Sequence, residues 1–419
     1  MKQRANGRAV TALGHGNRVV PEPAEARALE PVPASPLASE GTPKHLAHVD
    51  GMRAFAALVV LLNHAYAQIW TEFYGQFPKG LMGGLTYFLA LGHLAVSVFI
   101  VISGYCLMLP VVRGNGTLRG GSTRFFKKRA RRILPPYFGA LAFSLLLIWL
   151  LIGQPTQTLW DVAINFSLKD VVSHVLLLQN IFGTGRINYV FWSIATEWQI
   201  YFLFPALVWL WRRVDPRAIV LAALAFGFAL TFLFGHTRLG RANPHYLGLF
   251  VLGMLTAHLV HAAPRHLARP HRPLLWQAIF AGPLLLAAVL ISRWGWRLSI
   301  QRWPYLDIIV AIVTAAALVV AARQPRGLVH AFFSWRPLAL IGTFSYSLYL
   351  IHAPLLQLFW QYLIQPYGLG DNSRFAVLLL AGGPLILGAS YLFFRCFEQP
   401  FMQSPPRQLQ PSATLVRQS

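Results

Sequence analysis

Apolar stretches long enough to cross a lipid bilayer recur from residue 49 to residue 396. A spanning α-helix needs about 20 mostly apolar residues. Lipid offers no hydrogen bonds to a bare backbone, so such a chain can only be a helix bundle in the membrane. The sequence therefore predicts an all-α, polytopic membrane protein of about ten transmembrane helices. The predicted spans are 49–70, 85–109, 133–152, 191–211, 217–236, 243–262, 274–292, 304–322, 337–361 and 375–396.

Composition supports this fold class. Hydrophobic residues make up 56% of the 419 residues and charged residues only 12%, which is too little charge to cover a soluble domain of this length. The apolar segment 172–182 is too short to span alone, and we interpret it as interfacial or re-entrant.

Charge along the chain predicts its orientation and its boundaries. Residues 1–44 are rich in Pro, Ala, Glu and Arg and carry no apolar run, which indicates a disordered cytoplasmic tail and not a signal peptide. The transmembrane domain then covers 45–402, and 403–419 forms a short cytoplasmic tail. Ten spans put both termini on one side, where the loops hold most of the Lys and Arg. The positive-inside rule therefore predicts cytoplasmic termini for a multi-pass protein of the cytoplasmic (inner) membrane.

The formal net charge of +23 would also suit nucleic acid. However, the Arg and Lys residues lie mainly between apolar segments, where they anchor a membrane protein, so we expect no nucleic-acid partner. Cys106 and Cys396 are the only cysteines, and both lie in apolar segments. We interpret them as small hydrophobes, with neither a disulfide framework nor a metal site.

The first span contains ionisable residues at defined intervals. Arg53 and His64 are eleven residues apart, which is about 20° beyond three helical turns, so both lie on one face. Asp50 shares that face, and His64 lies roughly 16 Å further along the helix axis than Arg53. Arg53 can be a snorkelling anchor paired with Asp50, and His64 an interhelical hydrogen bond. A neutral imidazole at this depth is equally a candidate proton acceptor.

A second polar cluster begins at Trp192. Ser193, Glu197 and Tyr201 follow at four-residue intervals and share a helix face. Placing a carboxylate inside the membrane costs at least about 2.5 kcal/mol, so such a residue is expected to have a partner or a function. Glu197 is therefore either the partner of a buried Arg or His that holds the bundle in register, or part of a functional site.

A basic block precedes the third span, from Arg124 to Arg132. A juxtamembrane block of this kind attracts anionic lipid, and composition alone favours that role. The alternative is a phosphate site for a cytosolic ligand, because guanidinium groups match phosphate oxygens in pairs.

Taken together, these segments resemble the acyltransferase-3 family of membrane O-acyltransferases. HVDGMRAFAA from residue 48 is similar to the opening motif of that family, and the pattern Arg, ten residues, His is met by Arg53 and His64. FIVISGY from residue 99, FWSIATEWQIY from 191 and FSYSLYLIH from 344 resemble later motifs, as does the basic block. Gln399 departs from the pattern, because the family usually has a cation there.

The resemblance implies acyl transfer from a cytosolic acyl-CoA, most often acetyl-CoA, to a hydroxyl of an exported polysaccharide or other glycan. On that basis His64 is the expected general base, and Arg53 positions or polarises the thioester. Asp50 fixes Arg53, and Glu197 orients or charge-pairs with groups in the same cavity. A transiently acylated His64 is the alternative. The expected acyl-CoA-binding residues are Ser103, Tyr105, Lys128, Arg129, Arg131 and Arg132, and the expected substrate-binding residues are Trp192, Ser193, Tyr201, Tyr349 and His352.

The expected partners are membrane lipid and a glycan or lipid-linked sugar acceptor, with no permanently bound cofactor. The sequence stops soon after the tenth predicted span, so we expect no appended extracytoplasmic domain. The acyl group would then pass directly to the acceptor or to a separate extracytoplasmic protein. The competing function is a transporter or proton-coupled carrier of a polar substrate, because buried Glu197 and His64 also suit a proton relay.

Overall fold

The computed structural model describes residues 46–70, 86–114, 116–262 and 273–402, together with the single residues 78, 80 and 83. Both predicted tails, 1–44 and 403–419, lie outside the described residues, as does the basic loop segment 265–272. Within the described ranges the chain is helical and contains no strand, which confirms the all-α fold class.

The helices follow one another in chain order. They are α1 (Ala47–Ile69), α2 (Leu94–Val112), α3 (Gly121–Leu147), α4 (Asp161–Ile164), α5 (Leu168–Val175), α6 (Gln179–Phe182), α7 (Trp192–Trp211), α8 (Pro216–Phe234), α9 (Arg238–Arg241), α10 (Tyr246–His261), α11 (Pro273–Gln301), α12 (Trp303–Arg323), α13 (Leu328–Phe333), α14 (Arg336–Thr343), α15 (Ser345–Phe359), α16 (Asp371–Val377), α17 (Gly383–Phe393) and α18 (Gln399–Met402). Among the described residues, four π-helical turns extend or join them, at Ile148–Ile152, Trp360–Ile364, Leu378–Gly382 and Phe394–Glu398. The same ranges contain three 3₁₀ turns, at Tyr87–Leu91, Tyr189–Phe191 and Gln365–Tyr367.

Seven helices in the described ranges are long and apolar enough to cross a membrane, and an eighth is counted if α14 and the helix that follows it form one span bent by 76°. Two predicted spans do not reach that standard. α10 has only 16 residues, and the polar and aromatic side chains of α7 lower its hydropathy. Multiple spans are therefore supported, while the count of ten and the cytoplasmic termini stay predictions. The segment 172–182 contributes to two short helices, α5 and α6, that are too short to span.

Leucines on the outward faces of the bundle are largely exposed. Exposing so much apolar surface to water would be unfavourable, whereas contact with lipid acyl chains is favourable. The most exposed include Leu221, Leu233, Leu285, Leu380 and Leu392, each with about two thirds or more of its surface accessible.

Small residues bring the inner helices together. Gly104 on α2 faces the backbone of α10, and a Cβ there would overlap the carbonyl oxygen of Phe250. Gly253 on α10 faces α2 in return, and its Cβ would overlap the carbonyl of Val101. Close backbone approach through glycine is typical of helix pairs in membranes. This contact fixes α2, which forms one wall of the site described next.

Candidate active site

A cavity lies among α1, α2, α3, α7 and α15. Its empty volume, counted together with the solvent space at its mouth, is about 820 Å³. It is lined by Arg53, Val96, Phe99, Ile100, Ser103, Cys106, Leu107, Arg129, Arg132, Ile133, Ser193, Ile194, Glu197, Tyr201, Tyr346 and Tyr349. Eight of the residues predicted from the sequence to have a functional role are therefore brought together, from five separate helices.

Three guanidinium groups and one carboxylate line this cavity. Arg129 and Arg132 come from α3, and Arg53 from α1, where its Nη1 lies 3.4 Å from Oδ1 of Asp50. The Nε of Arg129 is buried and has no hydrogen-bond partner among the described residues. An excess of cations with an unused donor suits an anionic ligand.

The residues of the basic block face two different ways. Arg129 and Arg132 are three residues apart on α3 and share the face toward the cavity. Lys128 and Arg131 are exposed and do not line the cavity. Of the four basic residues of α3 predicted to bind acyl-CoA, two therefore face the cavity and two face outward.

A chain of hydroxyl groups crosses the cavity wall between α2 and α7. Tyr201 Oη donates to Oε1 of Glu197 at 2.5 Å. Its other hydrogen-bond partner is the Ser103 hydroxyl, at 2.9 Å, which must then be the donor because the phenolic proton is used. On the α15 side, Ser193 Oγ and Tyr349 Oη are 2.6 Å apart. All three residues predicted from four-residue spacing to share one helix face line the cavity: Ser193, Glu197 and Tyr201.

His64 lies beyond the cavity lining and is paired with His352 of α15. The His64 Nδ1 and His352 Nε2 atoms are 2.7 Å apart. The two rings are stacked, with centroids 5.0 Å apart. His352 is buried and His64 is partly exposed. His352 was predicted from the sequence to bind substrate, and its contact with His64 was not predicted.

The 188–190 segment braces this pair. Pro354 lacks an N–H, which leaves the carbonyl of Leu350 without its helical donor. The Asn188 side chain donates to that carbonyl at 3.1 Å, and Tyr349 Oη donates to the carbonyl of Val190 at 3.0 Å. The intervening Tyr189 ring packs edge-on against His64, with centroids 5.1 Å apart.

Buried amides continue from the histidine pair along α1 and α15. Gln68, one turn after His64, donates through Nε2 to Oε1 of Gln357 at 2.6 Å. Thr158 donates to the same oxygen at 3.0 Å. These residues were not predicted from the sequence, although the four-residue interval from His64 to Gln68 places both on one helix face.

Asp307 forms a separate cluster with two histidines. It is fully buried on α12 and accepts from Ser97 Oγ at 2.5 Å. Its Oδ2 lies 3.0 Å from Nε2 of His245 and 3.8 Å from Nε2 of His93. The His93 ring is stacked between Trp192 and Trp303, with centroids at 5.4 and 4.0 Å.

Two predicted ligands therefore face away from the cavity. Trp192 belongs to the Asp307 cluster. Tyr105 is buried against α10, where its Oη lies 2.8 Å from Nε2 of His261. By contrast Cys106, interpreted from sequence as a small hydrophobe, lines the cavity. Within the described ranges, no three His, Cys, Asp or Glu side chains are grouped so that they could hold a metal ion.

A family model described as an acyltransferase domain, of the acyltransferase-3 type, matches residues 46–395. No solved structure matches the chain.

The similar curated proteins include O-acetyltransferase OatA of Staphylococcus aureus (strain NCTC 8325 / PS 47), which is 27% identical over 339 residues, covering 77% of this chain and 53% of that protein. YrhL of Bacillus subtilis (strain 168), provisionally named a peptidoglycan O-acetyltransferase, is 24% identical over 331 residues, covering 75% and 49%. Acyltransferase MdmB of Streptomyces mycarofaciens is 27% identical over 181 residues, covering 42% of each. The chain thus spans about half the length of the curated relatives that it matches. Because the family model covers most of the chain, this protein belongs to the acyltransferase-3 family.

Proposed function

We propose that this chain is a membrane O-acyltransferase that moves an acyl group, acetyl by preference, from cytosolic acyl-CoA to a hydroxyl of an exported glycan. The observation that carries the proposal is the cavity with three guanidinium groups, one carboxylate and several hydroxyl groups. A large ligand with several phosphates and a long, thin arm suits such a site. The relatives named O-acetyltransferases support acetyl as the donor group.

In this proposal the two ends of the donor use different residues. Arg129 and Arg132 bind phosphate oxygens, with Lys128 and Arg131 adding charge from the exposed face of α3. Arg53 directs its guanidinium at the thioester carbonyl and stabilises the negative charge that develops on that oxygen. Asp50 holds Arg53 in place. Glu197 and Tyr201 orient the groups around the thioester.

His64 is the proposed general base. It takes the proton from the acceptor hydroxyl while the hydroxyl oxygen forms a bond to the acyl carbon. The bond from that carbon to sulfur breaks, and the CoA thiolate recovers the proton. The Cα of His64 lies about 16 Å beyond that of Arg53 along α1. The acyl carbon therefore has to lie between the two side chains, with donor and acceptor approaching from opposite ends of that helix.

The proposed acceptor is a glycan or a lipid-linked sugar at the outer face of the cytoplasmic (inner) membrane. Peptidoglycan, which appears in the name of YrhL, is the first glycan to test. A separate extracytoplasmic protein that receives the acyl group remains part of the proposal. Mass spectrometry of surface glycans from a deletion strain, compared with the parent strain, identifies both the acyl group and the acceptor.

The chain offers a direct test of donor binding. Cys106 lines the cavity, and the other cysteine, Cys396, is exposed elsewhere. In a Cys396→Ser background, acetyl-CoA should slow alkylation of Cys106 by a small maleimide. In the matched Cys106→Ser protein, alkylation of Cys396 should not change. Equal alkylation of Cys106 with and without acetyl-CoA would contradict the proposed donor site.

The catalytic role of His64 has its own test. His64→Ala should abolish transfer of labelled acetyl groups to membrane glycan while leaving expression and membrane insertion intact. His236, which is exposed and distant in sequence from the motifs, supplies the control variant His236→Ala. Near-normal transfer by His64→Ala would remove His64 from the mechanism. Substrate uptake without acyl-CoA, and no acyl transfer, would favour a carrier instead.

A further inference from the structure

The protonation pattern of His352 follows from its neighbours. Its Nδ1 lies 2.8 Å from the carbonyl of Tyr349 and 3.1 Å from that of Leu348. A carbonyl oxygen can only accept a hydrogen bond. The Nδ1 of His352 therefore carries a proton, and this ring nitrogen is fixed as a donor by the helix backbone itself.

The opposite nitrogen of His352 is then an acceptor. Burying an unpaired cation is costly, and no carboxylate in the described ranges forms an ion pair with His352 or His64. A neutral His352 with its proton on Nδ1 has a lone pair on Nε2. That lone pair faces His64 Nδ1 at 2.7 Å.

His64 must accordingly be the donor in this contact. A neutral His64 that donates from Nδ1 carries its own lone pair on Nε2. Among the described residues, Nε2 of His64 makes no hydrogen bond to the protein, and it is not one of the fully buried side-chain atoms that lack a partner. This nitrogen is therefore accessible. It is the free nitrogen of the pair.

We propose that His352 is a positioning residue that holds His64 in the Nδ1–H tautomer and so makes Nε2 of His64 the proton acceptor; its catalytic consequence rests on the proposed function. The acceptor hydroxyl gives its proton to Nε2 as its oxygen bonds to the acyl carbon. His64 then carries protons on both nitrogens, and the Nδ1–H bond to the lone pair of His352 becomes charge-assisted. The proton on Nε2 passes to the departing thiolate, which returns both rings to their starting state.

The tautomer can be observed without measuring acyl transfer. The wild-type protein, ¹⁵N-labelled at histidine and reconstituted in lipid, should give a signal with a protonated Nδ1 and an unprotonated Nε2 that is absent from His64→Gln. A His64 signal with the proton on Nε2 would overturn the inference. In His352→Phe, the His64 signal should become a mixture of both tautomers. An unchanged signal in that variant would also overturn it.

Matched substitutions separate positioning from packing. Gln at position 352 can still accept a hydrogen bond from His64, whereas Phe fills similar space without an acceptor. We expect His352→Phe to lower kcat by about 100-fold or more and His352→Gln to remain within about tenfold of wild type, because tautomer control of a catalytic His has large kinetic effects. The KM for acetyl-CoA should change by less than roughly twofold in both variants. Equal activity of the two variants would contradict the inference.

Protection of Cys106 by acetyl-CoA checks that the cavity is intact in each variant. If wild-type protein shows the predicted tautomer but transfers no acyl group, the proposed function fails and the tautomer assignment stands. If acyl transfer is normal but the proton of His64 is on Nε2, the role of His352 fails and the proposed function stands.

Discussion

Tyr201 and Glu197 are joined by a hydrogen bond of 2.5 Å across one turn of α7, with the phenol donating to the carboxylate. Both side chains line the cavity, and Tyr201 also bonds to Ser103 of α2. The carboxylate thus has a fixed direction relative to two helices. A carboxylate held in this way can orient a ligand, whereas a mobile one would pair with the nearest arginine.

Removal of this hydrogen bond should slow catalysis. Tyr201→Phe leaves the Glu197 carboxylate without its donor, and the loss of a hydrogen bond to a charged group costs about 1.5–3 kcal/mol. We expect kcat/KM for acetyl transfer to fall by at least about tenfold. Tyr367 is largely exposed, and Tyr367→Phe serves as the control. Unchanged kinetics in Tyr201→Phe would show that the cavity does not need a fixed carboxylate.

The division of the basic block predicts unequal effects on donor binding. Arg129→Ala should raise the KM for acetyl-CoA by about tenfold or more, because the proposed contact between its guanidinium and a phosphate is lost. Arg131→Ala, two residues further along α3 but exposed, should change KM by less than roughly threefold. Steady-state kinetics at fixed acceptor concentration distinguish the two. Equal effects would mean that the block acts only through its summed charge.

The approach of α2 and α10 predicts sensitivity to a single methyl group. Gly253→Ala places a Cβ against the backbone carbonyl of Val101, which cannot move as a side chain would. Overpacking of this kind costs about 1–3 kcal/mol, so the thermal midpoint in detergent should fall by several degrees. A Cβ at Gly388 meets nothing within 4 Å, and Gly388→Ala is the control. An unchanged thermal midpoint for Gly253→Ala would indicate that α2 and α10 can move apart without loss of stability.

The Asp307 cluster predicts a stability effect outside the cavity. Asp307→Asn keeps the shape of the side chain but replaces one acceptor oxygen by a donor, so Ser97 or His245 loses a partner. A buried polar group left unsatisfied costs about 1–3 kcal/mol. The exposed pair of Asp371 and Arg374 supplies the control variant Asp371→Asn, with an expected cost below about 1 kcal/mol. Thermal unfolding followed by size-exclusion chromatography provides the comparison.

Much of the architecture could be predicted from the sequence because lipid restricts a chain to few solutions. Apolar runs located the long helices, and helical spacing correctly grouped Ser193, Glu197 and Tyr201 on one face. The same reasoning applied to α3 would have separated Arg129 and Arg132 from Arg131, since the helical period was visible in the sequence. The face on which a residue lies within one helix can be predicted because it depends only on local geometry.

The long-range contacts could not be predicted in this way. The contact of His64 with His352 joins residues 288 positions apart, and no local pattern encodes the packing of α1 on α15. Asp307 lies inside the predicted span 304–322, but its partners come from two other parts of the chain, His93 and Ser97 in one and His245 in the other. Cys106 was interpreted by residue type alone, which says nothing about whether a neighbouring space is empty or filled.

Glycine on both sides of the first turn of α1 has a consequence for how the cavity can respond to a ligand. A Cβ at Gly51 would overlap the carbonyl oxygen of Phe333, and a Cβ at Gly342 would overlap that of Asp50. Backbone is thus pressed against backbone on both sides of the turn that leads to Arg53. The Arg53 end of the cavity is therefore rigid, and we expect any closure around a ligand to involve α3, whose first turn is exposed.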